Sequence, residues 1–298
     1  MEQRQYGKTG MNVSILGFGG AEIGFEGATV EQAGRLLGSA LDAGLNVIDT
    51  AECYAASEEL IGKTVSHRRD DYYLFTKCGH ASGFDRPDWD PIMLEASIER
   101  SLKRLNTDYV DVVHLHTCSE QLLRQGDVID VLVRAKEKGK VRYIGFSGDH
   151  LAALYAVQCG AFDSLETSVN IADQEAITLT IPEAQKRGMG VIAKRPIANV
   201  AWKTGSKPES SYQHAYWDRL QTLAYDWLKG DLQQSVGTAL RFTLTVPGVH
   251  TAIVGTANPD RWVENARLLE QGLLPQDRYD AIRAVWQAKS SADWIGLE

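Results

Sequence analysis

The sequence predicts an α/β fold: a single (β/α)8 TIM barrel over residues 1–298, with a short N-terminal hairpin and an extra C-terminal helix. Three observations predict it. Strand-like runs alternate with helix-like runs along the whole chain in eight units, which implies a parallel sheet. Gly44, Gly139 and Gly188 each close a helix-like run just before a strand, as a left-handed helix stop requires. No Gly-rich dinucleotide fingerprint follows the first strand. Gly17, Gly19 and Gly20 lack the spacing that continues into a helix, and this weakens the rival open, doubly wound sheet.

The elements follow in order. Residues 4–6 and Val13, around Gly7 and Gly10, read as a hairpin closing the barrel bottom. The first unit pairs a strand at 14–19 with an amphipathic helix at 30–43, and the second a strand at 46–50 with a helix at 58–65. The third spans a strand at 72–77 and a helix at 91–105; the fourth, 109–116 and 128–138. The fifth spans 141–147 and 151–157; the sixth, a weaker strand at 164–170 and a helix at 181–187. In the seventh, a strand at 190–195 leads into helical stretches up to about residue 244; the eighth joins 251–254 to 260–269. Residues 277–289 form the added helix.

At 298 residues the chain can bury a large core, and barrels reach this length as one domain. A net charge of −8 disfavours nucleic acid or an anionic membrane as the main partner. Cys53, Cys78, Cys118 and Cys159 match no CxxC or zinc spacing, so no metal is expected and a reducing cytoplasm is the simplest setting. Residues 1–10 lack the apolar run of a signal peptide, and no stretch approaches the ~18 apolar residues of a membrane span. The expected partner is a small molecule, and the oligomeric state is left open.

Barrel chemistry sits at the C-terminal strand ends. The second strand ends in Asp49, with Tyr54 in the next loop; the third ends in Lys77 and the fourth in His116. Neighbouring strands are ~4.8 Å apart, so these side chains can meet. A phenol of pKa about 10 is a poor acid at neutral pH, and a nearby ammonium can lower that by ~1–3 pH units. Asp49 can serve as the counter-ion of Lys77, and His116 can hydrogen-bond a substrate oxygen. The set suits protonation of an oxygen that becomes an alkoxide as hydride adds to a carbonyl.

These residues carry a resemblance. N-V-I-D-T-A-E-C-Y (46–54), S-E-E-L-I-G (57–62), F-T-K (75–77), Y-V-D-V-V-H-L-H (109–116) and I-G-F-S (144–147) resemble, in order, segments of the aldo-keto reductase superfamily. The resemblance implies that Tyr54 donates the proton, Lys77 tunes it, Asp49 holds Lys77 and His116 positions the carbonyl. It implies a nicotinamide cofactor across the barrel mouth. G-T-A-N-P-D-R-W-V-E-N (255–265) is similar to the family's adenosine-binding segment, which makes Gly255, Thr256, Arg261, Glu264 and Asn265 candidate contacts. Asn258 reads as the helix N-cap and Pro259 as its first residue. An arginine in that first turn makes an anion site, and the resemblance implies that it grips a 2′-phosphate, hence NADPH in preference to NADH.

Several positions depart from the family pattern. Gly255 stands where many relatives carry lysine; Ser147, Gly148 and Glu166 are further candidate cofactor contacts, with Gly148 following Ser147 in place of asparagine and Glu166 replacing the usual glutamine. Lys194 and Arg195 stand where an aromatic side chain commonly stacks on nicotinamide, and they read as contacts to a pyrophosphate or an acidic substrate. The expected reaction is NADPH-dependent reduction of an aldehyde or ketone. A cofactor-binding regulatory barrel without significant turnover is the alternative. More distant are a metal-dependent hydrolase using the His114–His116 pair and a Schiff-base role for Lys77. Residues 79–90 and 199–213, with Phe84, Trp89, Trp202 and Tyr212, read as substrate walls.

Overall fold

The computed structural model describes residues 1–297. Near the N-terminus β1 (Gln3–Gln5) pairs antiparallel with β2 (Asn12–Ser14). Eight parallel strands then close a barrel: β3 (Leu16–Gly19), β4 (Val47–Asp49), β5 (Tyr73–Cys78), β6 (Val110–His116), β7 (Val141–Ser147), β8 (Ser164–Ser168), β9 (Gly190–Lys194) and β10 (Thr251–Gly255). They stand side by side in chain order, and β10 pairs with β3 to close the ring.

Helix signals fall where the residues dictate. Thr29 caps Val30–Asp42 in a reciprocal capping box with Gln32. Asp90 accepts the N–H groups of Ile92 and Met93, and Pro91 opens Pro91–Leu105. Gly44, Gly139 and Gly188 all take positive φ, as the sequence predicts. The helical stretch after β9 resolves into two short 3-10 turns, then His214–Leu223 and Leu232–Thr245 with one 3-10 turn, Asp226–Lys229, between them. Short helices at Ala21–Phe25, Glu120–Gln125 and Glu175–Leu179 carry too few turns to show a periodicity in the sequence. The final helix is Gln276–Lys289. Among the described residues no helix is long and apolar enough to cross a membrane.

One expectation is corrected. Asn258 does not cap the eighth helix, which runs Arg261–Leu268 with Asp260 at its N-cap. The Asn258 side chain is used earlier: its Oδ1 accepts the N–H of Asp260 at 3.0 Å, while Thr256 Oγ1 accepts the N–H of Asn258. These bonds fold 256–260 into a tight turn and delay the helix.

The barrel interior changes character along its axis. At the bottom Tyr6, Met11 and Val13 of the hairpin region pack with Val47, Phe75, Val112, Ile192 and Ile253 into a separate apolar cluster. Side chains two residues further along the strands point the same way, and there the lining becomes Asp49, Lys77 and His114. Glu166 joins them from β8 and all four are buried. This buried polar layer forms the floor of the mouth.

Candidate active site

The site is built on the ends of β4, β5 and β6, which are neighbours. Lys77 lies opposite His114 in the β5–β6 register. Its Nζ donates to Asp49 Oδ2 and, at 3.1 Å, to the carbonyl oxygen of Thr50. Burial alone would lower the Lys77 pKa, but the Asp49 and Glu166 carboxylates outweigh it and hold the ammonium charged.

Tyr54 follows in the loop from β4. A short helix supports it from outside: a Cβ on Gly24 would stand 2.1 Å from the Tyr54 carbonyl oxygen, so only glycine fits there. The loop base is held by the Thr50–Ser57 hydroxyl pair at 2.8 Å and by buried Glu52, which pairs with Arg100 and Arg104. The Tyr54 ring centroid is 5.3 Å from Lys77 Nζ and 5.9 Å from the His116 ring, which it meets edge to face. The four expected catalytic residues therefore do converge. The Tyr54 phenol, however, is pushed up rather than down. Burial is the largest cause, Lys77 opposes it, and Glu166 and Asp49 add to the rise.

His116 is kept neutral, its pKa driven well below the usual value by burial and then by the positive charge of Lys77. Trp89 donates its indole N–H to the His116 carbonyl oxygen at 2.9 Å, so one expected wall residue braces the end of β6. His114 is buried and bonded through Nε2 to Ser164 Oγ at 2.8 Å. It is a packed core residue and not the partner of His116 in an HxH metal pair.

Glu166 lies with the candidate catalytic group. Its Oε2 is 3.3 Å from Lys77 Nζ and 3.8 Å from His114 Nδ1. Burial and the Glu166 charge push Asp49 well above the carboxylate range, against the pull of Lys77. Two carboxylates thus compete for one ammonium. Strand position hints at this, since Ser164, Glu166 and Ser168 alternate onto one face.

The other expected contacts ring the mouth. Ser147 ends β7 and is buried. Gly148 follows, and a Cβ there would stand 2.6 Å from the Phe146 ring, which accounts for glycine in place of asparagine. Lys194 donates to Asp149 at 3.0 Å, a residue that also accepts from Thr167 and Ser168; sequence reasoning missed Asp149. Arg195 donates to Tyr212 Oη at 2.7 Å, to Ser168 Oγ at 3.3 Å and to the carbonyl oxygen of Leu297. Trp202 is buried and bonded to Ser235, so it packs a helix.

At the far end Gly255 ends β10. A Cβ there would overlap the Glu22 carboxylate, which explains the absence of a side chain. Trp262 is fully buried and donates to the Gly17 carbonyl oxygen at 3.2 Å, docking the eighth helix on β3. Arg261 opens that helix with its side chain about half exposed, beside Glu264 at 3.3 Å; Asn265 is buried one turn on. No side chain caps this helix start. Uncapped N–H groups beside a guanidinium are a donor set that fits a phosphate.

The profile of the Aldo/keto reductase family matches residues 15–287. The chain is 27% identical to L-galactose dehydrogenase of Arabidopsis thaliana, across 99% of this chain and 97% of that one. It is 28% identical to a putative voltage-gated potassium channel subunit beta of Schizosaccharomyces pombe, across 90% and 88%. A solved aldo-keto reductase of Bacillus halodurans, in holo form, superposes with a TM-score of 0.83 at 25% identity, covering 99% of both chains.

Proposed function

The chain belongs to the aldo/keto reductase family and is an NAD(P)H-dependent oxidoreductase, and from that premise we propose that it reduces an aldehyde or ketone to an alcohol, with NADPH preferred and Tyr54 as the proton donor. The observation that carries this reading is the convergence of Tyr54, Lys77, Asp49 and His116 at one end of the barrel.

When bound, the cofactor supplies a hydride to the carbonyl carbon. The chain's own residues manage the oxygen. Neutral His116 can donate a hydrogen bond to the carbonyl and fix its direction. Tyr54, protonated at neutral pH, holds the proton that the oxygen needs once it becomes an alkoxide, which is far more basic than a phenolate. Lys77 offsets the phenolate charge left behind, and Asp49 keeps that ammonium in place. Ser147 and Gly148 border the nicotinamide end. Thr256, Arg261, Glu264 and Asn265 border the adenosine end, where Arg261 supports the preference for a 2′-phosphate. Lys194 and Arg195 act through their pairings with Asp149, Ser168 and Tyr212, which shape the wall facing the cofactor.

The name of the Arabidopsis relative suits the same site run in reverse, with the carbinol C–H of a sugar as hydride donor and its hydroxyl proton passing to Tyr54. The named channel subunit among the relatives keeps a regulatory barrel as second reading. Loss of NADPH absorbance on addition of aldehydes and ketones supports the reductase; tight NADPH binding with no turnover on any carbonyl supports the regulatory barrel.

A further inference from the structure

Beside Tyr54, three metal-type side chains that come from three successive strand ends converge. Cys53 precedes Tyr54 in the loop after β4, His80 follows β5 and His116 ends β6. Cys53 Sγ lies 3.6 Å from His116 Nδ1. The His80 and His116 ring centroids are 4.9 Å apart. One ligand atom from each of the three lies within 4.8 Å of the other two, and all three residues are partly exposed.

The Cys53–His116 separation is that of two ligands of one metal ion. Zinc bonds a thiolate at about 2.3 Å and an imidazole at about 2.0–2.1 Å in tetrahedral geometry, so two such ligands stand about 3.6 Å apart across the ion. Cys53 and His116 already have that spacing. His80 is oriented from behind: its Nδ1 is 3.0 Å from Asp88 Oδ2, and Asp88 Oδ1 is fixed by the N–H of Ala81 at 2.8 Å. A carboxylate on one ring nitrogen leaves the lone pair of the other for a metal, as behind many zinc-bound histidines. The second close group, Asp49, His114 and Glu166, carries no such inference, because the Lys77 ammonium already lies against both of its carboxylates.

We propose that Cys53, His80 and His116 form a binding site for one divalent transition-metal ion of the zinc class, with one coordination position open at the barrel mouth. Binding forms a metal–sulfur bond and releases the Cys53 thiol proton to solvent, with no change of oxidation state. Bonding through Nδ1 leaves the Nε2 N–H of His116 as a donor, so the ion pins the tautomer that the carbonyl requires. Short-spacing motifs miss this site because its ligands come from three separate strand ends.

The test is titration of the metal-stripped full-length protein with Zn2+ by calorimetry and with Co2+ by absorbance. The expected result is one ion per chain and a thiolate-to-cobalt charge-transfer band. Cys53→Ser removes the band, and Asp88→Asn weakens Zn2+ binding by about tenfold. Cys159→Ser, which removes the exposed thiol, changes neither. Circular dichroism on each variant separates loss of ligand from loss of fold. Absence of saturable one-to-one binding to folded wild-type protein overturns the proposal, as does a band that survives Cys53→Ser. None of these readouts requires turnover.

Discussion

Lys77 Nζ lies 3.3 Å from Glu166 Oε2, although their strands, β5 and β8, are not neighbours in the barrel. The contact crosses the interior and gives the ammonium a second carboxylate besides Asp49. Glu166 is one of the charges that raise the Tyr54 phenol. Glu166→Gln removes that charge and keeps the shape, so the Tyr54 pKa falls. Reduction needs the protonated phenol, so its rate declines as pH rises through that pKa. The alkaline limb of the kcat profile should therefore move to lower pH in the variant. A pH–rate series with saturating cofactor measures this.

Removing the cation has the opposite effect on Tyr54. Lys77→Met deletes the charge that lowers the phenol and leaves two buried carboxylates without a partner. kcat should fall about 10²–10⁴-fold, and stability at neutral pH by about 3–5 kcal/mol. The orphaned carboxyls have raised pKa values, so they take up protons as pH falls. The stability deficit relative to wild type should shrink on acidification, as urea midpoints at several pH values will show.

His250 reports on the barrel bottom. Its Nδ1 accepts the N–H of Val191 at 3.0 Å, and burial, followed by the charge of Arg4, lowers its pKa to about 4. An unfolded histidine titrates near 6.5. Between these values the unfolded chain binds the extra proton, so this contribution is whole above about 6.5 and is lost as pH falls toward 4. The loss amounts to at most about 3 kcal/mol. His250→Asn has no such proton to bind, so its unfolding midpoint should depend less steeply on pH across that window.

Arg261 is the selective test of the cofactor's far end. Arg261→Gln should raise the KM for NADPH about tenfold, equivalent to about 1.4 kcal/mol, and leave that for NADH nearly unchanged. Equal losses for both cofactors would place the arginine away from the 2′-phosphate.

The barrel was legible in the sequence because eight strand–helix units and their glycine stops are local signals. Pro91–Leu105 and Ile181–Arg187 match the expected bounds residue for residue. The candidate quartet was legible because Asp49, Lys77 and His116 lie at the ends of adjacent strands, with Tyr54 in the loop after the first, in a recognisable order. What escaped depends on contacts across the ring. Glu166 reads as a cofactor contact in its own segment, and only closure of the barrel brings it to Lys77. The rise of the Tyr54 pKa follows from the same closure, since burial and that second carboxylate outweigh the lysine. Asn258 was misread because a turn and a cap use the same side-chain chemistry, and the bond to Asp260 decides between them.

The central claim is that Tyr54 gives the proton. Its most direct test is turnover of NADPH by wild type and Tyr54→Phe over one panel of aldehydes and ketones, with cofactor binding measured on both. The account predicts activity in the wild type, a fall of about 10²–10⁴-fold in the variant and unchanged NADPH affinity. A Tyr54→Phe protein that reduces the same carbonyls at the wild-type rate would contradict it.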